Sequence, residues 1–269
     1  MKEDSAEKLE KLRENLKKMD NVAVGFSGGV DSAFLLKTAH DILGDKVIAV
    51  TAISPLYTNK EIEESRYFAN NIGVQQRFIK SKYEDIEKIS KNPVNRCYYC
   101  KKNLFSKIKK FAKKENIAFV LDGSNADDVE DYRPGLKAIN ELGVVSPLID
   151  VGLTKREIRD LSKEMNLDTW NKSESACLAS RFPYNTEITK SRLEKIQKAE
   201  DFIRELGVKK FRVRFHEEIA RIEVPKYNFK IILNHSDEIV KKFKELGFIY
   251  ITLDIKGYRS GSLNEVLKK

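Results

Sequence analysis

Short apolar runs that alternate with helix-length segments are the feature that most constrains this chain. From Asn21 onward the order is strand, tight turn, helix, repeated. Residues 22–26 form an apolar run that stops at Ser27-Gly28-Gly29. The segment behind it spaces Ala33, Leu35, Leu36, Ala39, Ile42 and Leu43 as one helix face and closes at Gly44. Residues 47–53 are almost continuously apolar, as a strand covered on both faces of a parallel sheet must be. The pattern predicts helices over 60–72, 104–115, 133–142 and 154–165, and further strands over 76–79, 118–121 and 144–148. Strands alternating with helices of this length imply an α/β fold, a doubly wound, Rossmann-like parallel sheet. After Trp170 the pattern changes. Residues 171–186 are polar and irregular, and a helix (190–206), two strands (211–215 and 219–224), a helix (237–246) and a strand (249–254) follow. The expected organisation is therefore an α/β domain over 1–170 and a small α+β domain over 171–269.

The length of 269 residues supports two such cores without disulfide staples. A content of 41% hydrophobic and 34% charged residues excludes a disordered chain. No apolar run reaches the roughly 18 residues of a spanning helix. The first twenty residues alternate Lys and Glu with Leu and lack the apolar stretch of a secretory signal, so a cytoplasmic location is expected. The net charge of +9 would attract a nucleotide, an acidic small molecule or RNA, although it is spread along the chain as a solvated surface would spread it.

Between the first strand and its helix lies Ser27-Gly28-Gly29-Val30-Asp31-Ser32. Two glycines let backbone approach a phosphate, and helix-start N–H groups present positive dipole ends to it. Ser27 and Ser32 add hydroxyls, and Asp31 can hold the Mg²⁺ that accompanies a pyrophosphate. Neither the Walker A spacing nor the dinucleotide G-x-G-x-x-G is present. The stretch resembles the PP-loop of the N-type ATP pyrophosphatases, which include GMP synthetase, NAD synthetase, argininosuccinate synthetase and tRNA thiolation enzymes. The resemblance implies that ATP is split between its α- and β-phosphates and that an acceptor oxygen becomes adenylated. Ligands of open α/β sheets lie at the carboxyl ends of strands, so Thr51-Ala52-Ile53 and Asp122-Gly123-Ser124-Asn125 are candidates for the adenosine side.

Three cysteines add a second theme. Cys97 and Cys100 form a C-x-x-C pair among Arg96, Lys101 and Lys102, expected in a loop before a helix, and Cys177 stands alone. An odd count with such a pair points to metal or redox chemistry. Residues 122–128, 131–135, 176–181 (Ala-Cys-Leu-Ala-Ser-Arg) and 257–265 (Gly-Tyr-Arg-Ser-Gly-Ser-Leu-Asn-Glu) resemble the LarE family of ATP-dependent sulfur transferases across both expected domains. That resemblance implies adenylation of a carboxylate of a pyridinium biscarboxylic acid mononucleotide. Sulfur then replaces AMP, as in nickel-pincer cofactor biosynthesis. In one form of the family the cysteine at position 177 gives up its own sulfur. The resemblance to cluster-bearing members implies instead a 4Fe-4S cluster on Cys97, Cys100 and Cys177, with one iron open to hydrosulfide from a sulfide donor. A zinc site completed by His40, His216 or His235, a Cys97–Cys100 disulfide beside a sacrificial Cys177, and inert buried thiols are the alternatives.

Arg212 and Arg214 alternate on a predicted strand and could grip a phosphate. The resemblance adds Ser180 and Arg181 for the same phosphate, and places Glu200 at a subunit junction, implying a homo-oligomer. Tyr98, Tyr99 and Trp170 read as packing groups. A tRNA thiolase would use the same chemistry, but no dedicated RNA-binding module is evident. An amide-forming ligase would not need the cysteines, and an ATP-binding regulator or iron–sulfur carrier would leave the arginines without a purpose.

Overall fold

The computed structural model describes residues 3–81, 87–130, 134–172 and 176–267. They divide into two compact units, one of residues 1–87 with 95–175 and one of residues 88–94 with 176–269. Among the described residues no helix is long and apolar enough to cross a membrane.

The first unit is an α/β layer structure around four parallel strands, β1 (Val22–Gly25), β2 (Val47–Ile53), β3 (Gln75–Lys80) and β4 (Phe119–Leu121). Their order is β3-β2-β1-β4, so β1 is central. The expected doubly wound parallel sheet is thus what the chain forms. β1 and β2 are apolar along nearly their whole length because helices cover both faces. On one face the helix Val30–Leu43 contributes Phe34, Leu35 and Leu36, all fully buried. The helix Glu3–Lys17 packs on it through Leu9, Leu12 and Leu16, spaced three and four apart. On the other face the helix Arg96–Lys114 buries Phe105, Ile108 and Ala112 against Ala23, Val50 and Val120. Each fully buried aliphatic or aromatic side chain contributes roughly 1.5–3 kcal/mol.

Two local expectations are corrected here. Residues 144–148 do not form a strand. Val145 makes one parallel bridge to Leu121, and the chain then enters a short helix at Pro147, which has no N–H to continue a ladder. The helix expected from 104 begins at Arg96, so Cys97 and Cys100 lie in its first two turns and not in a preceding loop. Its apolar face begins only at Leu104, which hid the polar first turns from a periodicity argument. The helix expected over 133–142 is observed as Pro134–Glu141, and Arg133 lies outside the described residues, as do Asp131 and Tyr132.

The second unit is α+β. β5 (Arg212–His216) pairs antiparallel with β6 (Ile219–Glu223), which pairs parallel with β7 (Tyr250–Leu253). The helix Lys190–Glu205 buries Leu193, Ile196, Ala199 and Ile203. The helix Ser236–Glu245 adds Ile239 and Phe243. Phe182, Phe215 and Phe248 form a chain of rings with centroids 5.1 and 6.2 Å apart. Residues 88–94 belong here through hydrogen bonds that sequence order does not suggest. The buried Asn92 amide donates to the carbonyls of Phe182 and Pro183, and Asn185 and Ile188 donate to the Asn92 and Ser90 carbonyls.

Candidate active site

In the first unit the carboxyl end of β1 turns sharply into the helix Val30–Leu43. Phe26 N–H still donates to the Val50 carbonyl at 2.9 Å, which keeps the chain in the sheet until the loop begins. Gly28 has φ +72°, a left-handed conformation that costs a residue with a Cβ, and its missing Cβ would touch Ser65. Gly29 caps the helix with no side-chain acceptor on the first-turn N–H groups, so these remain directed at the space above the loop. Ser27 and Ser32 brace the loop internally: their hydroxyls lie 3.1 Å apart, Ser27 N–H donates to Ser32 Oγ, and Ser32 Oγ donates to the Gly29 carbonyl.

The loop opens into a cavity of about 350 Å³. Ser27, Gly29, Asp31, Ser32, Thr51 and Gly123 all line it, so these nucleotide candidates meet in one place. Gly28 stands in the same loop. Thr51 donates to the Phe26 carbonyl at 2.8 Å and receives the Gln76 amide at 2.7 Å. A Cβ on Gly123 would lie 3.0 Å from Ser32 Cα, so glycine lets this strand end approach the loop closely. Cys100 also lines the cavity, half-buried, whereas Cys97 is exposed.

Three lysines stand by the loop and its cavity: Lys155 and Lys172, which the sequence did not single out, and Lys101, which it marked only as a neighbour of the cysteines. Lys155 Nζ lies 2.6 Å from Asp31 Oδ2. It is carried on the first residue of the helix Lys155–Glu164, whose start is fixed by a Thr154–Glu157 capping box. Lys172 donates to the Gly28 carbonyl at 3.0 Å and pairs with Glu64 at 2.6 Å. Lys101 lines the cavity and contacts Asp122 at 3.2 Å and Ser124 at 3.1 Å. The Thr58–Glu61 capping box starts the helix Asn59–Asn71 and sets Tyr57 and Glu61 in the cavity wall. The sequence reading did not use these Thr-x-x-Glu caps; the spacing is a local signal that would have marked both helix starts, but their position against the loop depends on long-range packing. This arrangement suits a polyphosphate: helix-end N–H groups, hydroxyls and cations face one space, with a carboxylate for a divalent cation.

In the second unit Cys177 stands immediately before the single turn Leu178–Arg181. Arg181 is buried and makes a bidentate pair with Glu200 at 2.8 and 2.9 Å. Its other terminal nitrogen donates to the carbonyls of Ala176 and Cys177 and to Ser180 Oγ. Glu200, expected at a subunit junction, is turned inward in this chain, where it also receives Val213 N–H at 3.1 Å. Arg214 is buried as well, with Glu223 at 2.9 Å and the Ser180 carbonyl at 2.6 Å. Removing one partner of such a pair leaves a buried charge and costs roughly 3–5 kcal/mol.

Arg212 is placed differently. Its guanidinium stands over the Tyr258 ring at 5.3 Å and donates to the Phe211 carbonyl. Burial, and then the neighbouring Arg181 charge, hold its pKa below the ordinary arginine value, so an anion bound there would relieve both. Arg181, Arg212, Arg214, Glu200 and Ser180 therefore do form one cluster around the cysteine turn.

None of the three cysteines is in a disulfide. Cys97 and Cys100, three residues apart on one helix, share a face. This donor set, three thiols with a helical C-x-x-C pair, suits a three-cysteine cluster in its chemistry. Among the described residues no group of three or more His, Cys, Asp or Glu side chains is arranged to hold a metal ion.

Comparison with known proteins bears on the same features. The NAD synthase family model matches residues 5–167. An uncharacterized protein of Synechocystis is 39% identical over 264 residues, covering 97% of this chain and 98% of that protein. The pyridinium-3,5-bisthiocarboxylic acid mononucleotide synthase of Lactiplantibacillus plantarum is 40% identical over 255 residues, covering 94% and 92%. The NH₃-dependent NAD⁺ synthetase of Pyrococcus furiosus is 39% identical over 75 residues, 28% of this chain.

Proposed function

Because the chain belongs to the LarE family of ATP-using sulfur transferases, built on a PP-loop pyrophosphatase domain, we propose that it converts a pyridinium biscarboxylic acid mononucleotide to the thiocarboxylate. One observation carries this reading. The similarity to a bisthiocarboxylic acid mononucleotide synthase extends over 94% of the chain, and so over the nucleotide cavity and the cysteine turn alike. The NAD synthetase relative matches only 28%.

In the first half-reaction the loop N–H groups, Ser27 and Ser32 bind the β- and γ-phosphates of ATP, and Asp31 would hold the Mg²⁺ that offsets their charge. Lys155 and Lys172, paired with Asp31 and Glu64 in the free protein, supply further positive charge to the leaving pyrophosphate. Lys101 offsets charge that develops at the α-phosphate. A substrate carboxylate oxygen attacks the α-phosphorus, its bond to the bridging oxygen breaks, and pyrophosphate departs. Thr51 and Gly123 line the adenosine side.

In the second half-reaction a sulfur nucleophile attacks the acyl carbon and AMP leaves with the oxygen that the carboxylate gave. Arg212 and Ser180 hold the mononucleotide phosphate, with Arg181 and Arg214 adding positive field and Glu200 fixing Arg181. Cys97, Cys100 and Cys177 would hold a 4Fe-4S cluster, which when bound supplies an open coordination position for hydrosulfide. A homo-oligomeric, cytoplasmic enzyme served by a separate sulfide donor completes the proposal.

Transfer of heavy oxygen tests the activation step. With ¹⁸O in the substrate carboxylates, AMP released under turnover should carry the label, and pyrophosphate release should require the mononucleotide. Unlabelled AMP, with pyrophosphate released regardless of that substrate, would overturn the assignment.

A further inference from the structure

The C-terminal segment 257–265, Gly-Tyr-Arg-Ser-Gly-Ser-Leu-Asn-Glu, has no part in the chemistry just described. Its placement gives it one. Gly257 has φ +77°, and a Cβ there would lie 3.0 Å from the Val224 carbonyl, so glycine lets the chain turn against the end of β6. Tyr258 N–H then donates to that carbonyl at 2.9 Å. Arg259 closes the segment on itself through the Gly257 carbonyl and Glu265, both at 2.9 Å.

Two residues beyond this turn reach back to the surroundings of Cys177. Ser262 is 9% exposed. Its Oγ accepts from Arg214 at 2.8 Å and donates to Glu223 at 3.4 Å. The same Arg214 donates to the Ser180 carbonyl, within the turn that follows Cys177. Asn264 Oδ1 accepts from the Tyr184 hydroxyl at 2.8 Å, on the other flank of that turn. The segment thus holds residues 177–184 at two points, through Arg214 on one side and Tyr184 on the other.

We propose that residues 257–265 are a strap that sets the orientation of Cys177, with Ser262 and Asn264 as positioning residues for sulfur transfer. The proposal rests on the reading of Cys177 as the sulfur-handling residue of the second unit. Loss of the Ser262 hydroxyl removes an acceptor from Arg214 and a donor from Glu223, both buried, so Arg214 and the turn it holds must shift. The phosphate loop belongs to the other unit.

The test uses the full chain under reducing conditions without added iron, comparing Ser262→Ala, Ser262→Thr and Asn264→Leu. Iodoacetamide labelling, read by peptide mass spectrometry, gives the rate at Cys177 with the exposed Cys97 as internal reference. Ser262→Ala and Asn264→Leu should each change the Cys177-to-Cys97 ratio by several-fold and lower sulfur transfer about tenfold, as loss of one hydrogen bond to a charged or buried group does. The maximal rate of pyrophosphate release, at saturating mononucleotide, should be unchanged, and Ser262→Thr, which keeps the hydroxyl, should restore both readouts. An unaltered labelling ratio in both Ser262→Ala and Asn264→Leu would overturn the strap. If Ser262→Ala does not fold, Tyr184→Phe removes the second hold alone and is read in the same way. The labelling ratio does not depend on the substrate, so a changed ratio in a protein that makes no thiocarboxylate would fault the proposed function and leave the strap standing.

Discussion

Replacing Asp31 by Asn is expected to lower the rate of pyrophosphate release by about two to three orders of magnitude, the cost typical of removing one preorganised electrostatic contact. Asp31 stands on the first turn of the helix behind the loop, lines the cavity and is paired with Lys155 at 2.6 Å. Under the proposed reading its carboxylate would have two tasks, to hold Mg²⁺ and to keep Lys155 beside the phosphates. Asn keeps the size and loses the charge. The loss should appear in kcat/KM for ATP, while the melting temperature changes little because the pair is partly exposed and such pairs contribute modestly. A variant that releases pyrophosphate at the wild-type rate would remove Asp31 from the chemistry.

Replacing Cys177 by Ala has an effect of comparable size on the other half-reaction. Thiocarboxylate formation should fall to background, whereas pyrophosphate release stays within about twofold of wild type, as expected for independent sites. The contrast between the two variants, one blocking activation and one blocking only sulfur transfer, is the signature of a two-step enzyme. Sulfur transfer that survives Cys177→Ala would show that neither a cluster on this residue nor its own sulfur takes part.

Features of the sequence that act locally were legible, and those that act through long-range packing were not. The phosphate loop could be read because its glycines, hydroxyls and carboxylate sit together at a strand-to-helix junction, where composition and context agree. Strands β1, β2 and β4 were legible because strands covered on both faces demand apolar runs, whereas β3 lies at the sheet edge and is largely polar. The start of the helix at Arg96 was not, because its first turns carry the cysteines and lysines of the site and show no apolar period. The strand expected at 144–148 gave way to the missing N–H of Pro147. Lys155 was invisible because its partner Asp31 is 124 residues away in the chain. The same holds for Arg181 and Arg214. Sequence offers Arg181 in the stretch around a cysteine and Arg214 on an alternating strand, but only the fold shows that Glu200 and Glu223 take up much of their hydrogen bonding. Burial, and then the Arg181 charge, lower the pKa of Arg212, and an incoming anion would relieve both.

The central claim is that this chain uses ATP to replace a carboxylate oxygen of the pyridinium mononucleotide by sulfur. Its most direct test is the mass of that mononucleotide after anaerobic turnover with Mg-ATP, sulfide and iron-reconstituted protein. The account predicts a product with sulfur in place of one oxygen per reacted carboxylate, formed in excess over the protein, with one pyrophosphate for each exchange. Product limited to one sulfur per chain, with a matching loss from Cys177, would contradict the cluster. No sulfur in the mononucleotide at all would contradict the claim itself.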